Sequence, residues 1–193
     1  MQTDVLARNP VHQSLLSGVN RHYAIDRVFH DSAFFKKHTT LIKSLLMENE
    51  ISNMPKRQYM VAHVMLEIML DRMLLKHEKK IGEKFYSLLE QVDAAQLENT
   101  LVRCGTNQKI IDILLVKLQR FIHYRYLLTY TENESLIYAL HRIYIQINPD
   151  SNINPGVKDD NFIRLEKCIQ QSDLNLKDEY HLIFDDIKLK LDK

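Results

Sequence analysis

The run from Tyr59 to Leu75, YMVAHVMLEIMLDRMLL, constrains this chain more than any other segment. Only His63, Glu67, Asp71 and Arg72 interrupt its apolar character. A helix that is apolar on every side is normally buried inside a larger bundle. His63, Glu67 and Asp71 recur every four residues and therefore form one polar stripe along that rod. Burying an imidazole or a carboxylate costs free energy unless a partner, a proton or a metal compensates it. An earlier segment carries His22, Asp26 and His30 at the same spacing. Two such stripes face to face would build a polar site inside an apolar helical core.

The rest of the composition agrees with helices. Only 4 Gly and 4 Pro occur in 193 residues, too few for a turn-dense β-sandwich or barrel, while a hydrophobic fraction of 45% suffices for a core. The expected fold is all-α, a single-domain bundle of about eight or nine helices spanning residues 1–193. With 26 basic and 25 acidic residues spread along the chain, no electrostatic footprint for nucleic acid exists. No run of 18 apolar residues is free of charge, so no membrane span is expected. Residues 1–20 lack the apolar core of a signal peptide. Cys104 and Cys168 show neither CxxC nor zinc-type spacing, which points to a reduced, cytoplasmic protein.

Boundary signals divide the chain. Pro10 suits the first turn of a helix running to about His30, and Phe34 to Glu50 makes a second. Ser52 and Asn53 offer caps before Pro55 opens the long apolar helix, which ends near His77. Two shorter helices follow over Ile81–Gln91 and Ala94–Cys104, the latter closed by Gly105. Thr106 or Asn107 caps a helix reaching to about Thr129, and another runs from Asn133 to Asn148. The stretch 148–160 reads as a loop before two last helices near 161–172 and 176–191.

Residues four apart on a helix are about 6 Å apart along its axis, and residues eight apart about 12 Å. One ion can therefore take two neighbours from a stripe but not all three, and a metal site needs both stripes, with Asp26 and Asp71 placed to bridge. His and carboxylate donors suit Mn, Fe, Zn or, with fewer His, Mg, and such an ion can activate phosphodiester hydrolysis. A salt-bridge network explains the same pattern, with Arg21 or Arg27 neutralising Glu67 or Asp71 across a helix interface. Arg120, His123, Tyr124 and Arg125, with His141 and Arg142 beyond, offer phosphate-gripping groups or simply the wet edge of an amphipathic helix. HExxH and Glu-x-x-His are both absent.

The motifs nevertheless have a family likeness. His22-Tyr-Ala-Ile-Asp26 resembles the His-Arg-x-Ile-Asp motif of the acyl carrier protein phosphodiesterase family. Glu67-Ile-Met-Leu-Asp71-Arg72-Met-Leu is similar to its Asp-x-x-x-Asp-His-Phe-Leu segment. Tyr126-Leu-Leu-Thr-Tyr130 with Ala139-Leu140 resembles its Trp-Leu-x-x-Tyr helix pair, and Asp4 with Asn9-Pro10 fits an early acidic position. The likeness extends from Asp4 to about Phe184. It implies an all-helical fold related to the HD phosphohydrolases. It also implies a manganese- or magnesium-dependent hydrolysis that removes 4′-phosphopantetheine from holo acyl carrier protein.

By that resemblance His22, Asp26, Glu67 and Asp71 hold the ion and Asp4 assists or acts as a base. The family's doublet His is Arg72 here, and an Arg cannot ligate a metal. His63, one turn before Glu67, supplies the missing imidazole on this reading, and Arg72 turns to the phosphate together with Arg120 and Arg125. The family's opening Asn-Phe-Leu-Ala-His segment has no counterpart, because the chain begins only a few residues before Asp4. Acyl carrier proteins are acidic, so Arg27, Lys36, Lys37, Arg120 and Arg125 are expected to form a basic rim for docking. The rival expectation is a non-catalytic helical interaction protein whose stripes are structural ion pairs. A hydrolase of another phosphodiester fits the same residues.

Overall fold

The structure, a computed structural model, describes residues 10–49, 58–147 and 154–191. The described residues are predominantly helical, with no strand: α1 (Pro10–Asp31), α2 (Ala33–Glu48), α3 (Gln58–His77), α4 (Lys79–Glu90), α5 (Ala94–Arg103) and α6 (Gln108–Tyr124). A 3-10 turn (Tyr126–Thr131) then leads to α7 (Asn133–Ile147), α8 (Asp160–Leu176) and α9 (Tyr180–Leu191). The boundaries follow local chemistry. Pro10 opens α1, and Ser32 caps α2 by accepting from the Phe35 amide at 3.0 Å. Asp93, Asn107 and Asp159 cap α5, α6 and α8 in the same way. Gly105 closes α5 at φ +81, a conformation that glycine adopts without penalty. The expected caps Ser52 and Asn53, and Pro55, lie outside the described residues.

The apolar rod is α3, and it is the centre of the bundle, packed against α2, α7, α8 and the 3-10 turn. Val61, Ala62, Met65, Leu66, Ile68, Met69, Leu70 and Met73 all join the main core with Ile42, Leu136, Ile137, Leu165, Ile169 and Ile183. Together these all-α elements share one core. No described helix is long and apolar enough to cross a membrane.

Arg72 is drawn into this core rather than toward a ligand. It is 4% exposed and grips Asp173 of α8 bidentately, Nε to Oδ1 at 3.1 Å and Nη2 to Oδ2 at 3.0 Å. Its remaining donors reach the Tyr130 carbonyl at 3.1 Å and Asn133 Oδ1 at 2.7 Å. Lys76 adds a second cation on Asp173 at 2.8 Å, and Asn133 in turn donates to Glu166 at 3.0 Å. The expectation that Arg72 orients a phosphate is corrected accordingly: all three guanidinium nitrogens are committed inside the fold. The knot ties α3 to α7, α8 and the 3-10 turn.

A second departure concerns α6, expected to run to about Thr129. It stops at Tyr124 because Arg125 takes the left-handed conformation, φ 48 and ψ 42. Long-range contacts hold it there. The Arg125 guanidinium pairs with Glu90 at 2.5 Å and lies 5.6 Å from the Tyr86 ring, and the Tyr86 hydroxyl accepts from the Leu127 amide at 3.0 Å. Gly82 lets α4 approach, since a Cβ there would meet Leu75 and Leu128 side chains at 2.5 Å.

Removing one member of a buried charged pair leaves the other without compensation. Arg72→Ala is therefore expected to cost about 3–5 kcal/mol of unfolding free energy in denaturant titrations. Lys76→Ala, at the exposed rim of the same knot, should cost about 1 kcal/mol or less.

Candidate metal centre

Helices α1 and α3 bring the two polar stripes together at their open edge. His30 Nε2 lies 2.9 Å from His63 Nε2, and His63 Nε2 lies 3.1 Å from Glu67 Oε1. His30 Nε2 is 3.9 Å from the same carboxylate oxygen. Among the described residues, this is the one group of His, Cys, Asp or Glu donors close enough to share an ion. Both imidazoles stand edge-on to Phe35, with ring centroids 4.7 and 5.1 Å from it, and Phe35 is buried at the α2 N-terminus. A rigid core side chain thus fixes the two rings.

Asp26, one turn before His30, places Oδ2 3.2 Å from His30 Nδ1. When that contact is a hydrogen bond from Nδ1–H, the Nε2 lone pair points at His63 and Glu67. The carboxylate–imidazole arrangement is the one that orients histidine ligands in metal sites. Glu67 keeps a side-chain exposure of 45%, and His30 and His63 keep 28% and 21%. The site is therefore a rim, open to solvent, and not the sealed interior that an all-apolar rod suggested.

The structure redistributes the expected ligands. His63 and Glu67 belong to the cluster. Asp26 supports it through His30, a residue that the sequence analysis placed in the stripe but left out of the ion's ligands. His22 is two turns away from His30, exposed, and its ring lies tilted 43° to that of Tyr23 with centroids 5.8 Å apart. Asp71 lies one turn beyond Glu67 and outside the donor group. Asp4 lies outside the described residues. The one signal that could have favoured His30 over His22 is its place beside the buried Phe29, nearer the core.

Neither Arg21 nor Arg27 makes an ion pair with Glu67 or Asp71 among the described residues, so the specific salt bridges considered for the stripes do not form. The expected basic rim is also dispersed. Arg120 is exposed on α6, which packs against α4 and α5, and Arg125 is paired with Glu90. Lys37 pairs with Glu179 at 2.6 Å, and Lys36 donates to the Asp31 carbonyl at 3.2 Å.

Asp71 has a distinct electrostatic position. Burial, reinforced by the negative charge of Glu67, pushes its carboxyl from the ordinary 3.8 up to about 6. Two histidines are shifted the other way, His38 and His141, both lowered chiefly by burial.

No protein-family model, characterised protein or solved structure matches the chain.

Because the folded state holds the Asp71 proton more tightly than the unfolded chain, this group's contribution to stability is fully present below pH 4. It is lost as pH rises through about 6. The loss is on the order of 2–3 kcal/mol. Asp71→Asn is expected to remove that fall, so the variant should gain on the parent in urea titrations between pH 4 and 7.

Proposed function

We propose that the protein holds a divalent metal ion at His30, His63 and Glu67 and hydrolyses a phosphodiester there. Its sequence resembles the acyl carrier protein phosphodiesterases, with their HD-type helical arrangement. On that resemblance the substrate is holo acyl carrier protein, from which 4′-phosphopantetheine is removed. The observation that carries the reading is the convergence of two imidazole nitrogens and one carboxylate oxygen on a solvent-open edge.

The donor set fits an ion. Metal–nitrogen bonds of about 2.0–2.1 Å at angles near 90–110° separate neighbouring donors by roughly 3–3.4 Å. The observed 2.9, 3.1 and 3.9 Å bracket that range. Two imidazoles with one carboxylate favour Mn, Fe or Zn over Mg, which prefers oxygen. A bound ion supplies Lewis acidity to a phosphoryl oxygen and leaves coordination positions for substrate.

The chain's own residues do the remaining work. Asp26 sets the tautomer and angle of His30, and Phe35 fixes both rings. Asp71, one turn along α3 from Glu67, carries a carboxyl that exchanges its proton near neutral pH, which suits a general acid or base. A reducing, cytoplasmic setting accords with the two free cysteines, Cys104 and Cys168.

Calorimetric titration of metal-stripped protein with manganese and with zinc tests the site. Saturable binding of one ion per chain is expected, weakened by about 100-fold or more in His30→Ala and Glu67→Gln, and unchanged in His22→Ala. Asp26→Asn should weaken it by about 10–100-fold, the range for loss of an outer carboxylate. Absence of binding, or binding indifferent to His30, would refute the reading. Hydrolysis of holo acyl carrier protein against a panel of other phosphodiesters then identifies the substrate.

A further inference from the structure

We propose that Cys104 and His12 form a second reactive site, a nucleophile–base pair that exchanges with low-molecular-weight disulfides and is reversibly capped by them. The proposal is independent of the metal reading. Cys104 Sγ lies 3.4 Å from His12 Nδ1. The two residues come from different helices, Cys104 at the carboxyl end of α5 and His12 in the first turn of α1. A thiol beside an imidazole is an activated nucleophile, because the base takes the proton as the sulfur attacks. With the ring proton on Nε2, His12 presents the Nδ1 lone pair to the thiol.

Access and support are both present. Cys104 is exposed, so a reagent reaches the sulfur. Its backbone is fixed by the turn that closes α5. The Cys104, Gly105 and Thr106 amides donate to the Thr100, Val102 and Leu101 carbonyls at 3.0, 2.9 and 3.0 Å respectively. Those bonds also select the chemistry. With these three amides committed, none of them can stabilise the oxyanion that acyl transfer builds. Disulfide exchange builds no oxyanion and needs only a nucleophile, a base and access. The first turn of α1 holds no acidic residue, and the amino end of a helix favours negative charge growing nearby. The opposing field at the carboxyl end of α5 is blunted, since its carbonyls accept those amides.

The step balances without any further oxidant. The Cys104 sulfur attacks one sulfur of R–S–S–R, the S–S bond breaks, and the leaving thiolate takes the proton that His12 received. The products are a mixed disulfide at Cys104 and the thiol R–SH. The sequence holds one other cysteine, Cys168. It is buried on α8, its thiol donates to the Leu45 carbonyl at 3.4 Å, and burial pushes it up to about 11. Cys168 therefore does not resolve the mixed disulfide, which stays until an external thiol reverses the exchange. The pair is a redox-responsive modification site and not an oxidoreductase centre.

The test is the reaction of the full chain, with EDTA present, with dithiodipyridine followed by absorbance and with glutathione disulfide followed by mass spectrometry. One fast thiol per chain is expected, absent in Cys104→Ser, with Cys168 reacting only in denaturant. Glutathione disulfide should leave one mixed disulfide, at Cys104. His12→Ala opens more of the sulfur to solvent, so a merely exposed thiol would react as fast or faster. Loss of the base is expected instead to slow the reaction about tenfold. His12→Gln retains much of the side chain's bulk and should slow it likewise, and it decides the matter if His12→Ala does not fold. A fast phase unchanged in the folded His12 variants, a fast phase surviving in Cys104→Ser, or no glutathione adduct on the parent would each overturn the proposal.

Discussion

Arg72 is the one residue of permanent charge buried among the described residues, and the bundle is organised around neutralising it. A guanidinium in a low-dielectric interior is tolerated only when every donor is answered. Here the answers come from three elements, Asp173 on α8, Asn133 at the start of α7 and the Tyr130 carbonyl of the 3-10 turn. Those contacts set the rotation of α3 about its own axis. Because Asp71 precedes Arg72 by about 100° of helix, fixing Arg72 inward leaves the His63–Glu67–Asp71 stripe turned toward an open edge. The position of the candidate centre is thus a consequence of where one buried charge had to go.

Much of this was legible in the chain. The all-α class, the central apolar helix and most helix ends follow from few glycines, from apolar periodicity and from boundary signals such as Pro10, Gly105 and Asn107. What escaped depended on residues far apart in sequence. The early end of α6 at Tyr124 is imposed by Tyr86 and Glu90, and no local signal in YRYLLT forces Arg125 into a left-handed turn. Arg72 meets Asp173 across 101 positions, so its commitment to the core was invisible beside the attractive reading of a phosphate ligand.

The site shows the same limit at finer scale. Four-residue spacing establishes which residues share a face, but not which turn of that face meets the neighbouring helix. His22 and His30 are equivalent by spacing, and only the tertiary approach of the last turn of α1 to α3 makes His30 the neighbour of His63. Asp26 illustrates a further ambiguity. Its place between two histidines suits a bridging ligand, yet its carboxylate lies 3.2 Å from the far nitrogen of His30, outside the donor group.

Along α3, the buried ion pair and the candidate donors occupy different halves. The C-terminal half carries the permanent charge, sealed with Asp173. The N-terminal half carries one imidazole, His63, which can be neutral, at an edge reached by solvent. That division has a physical logic: a guanidinium cannot shed its charge and must be paired inside, whereas an imidazole offers a lone pair only when neutral and reachable. Asp71 lies between the two halves, close enough to Glu67 to feel its charge and buried enough to keep its proton toward neutral pH. Any positive charge placed beside Glu67 would offset that repulsion and favour the ionised form of Asp71, and by linkage an ionised Asp71 would favour that positive charge in turn.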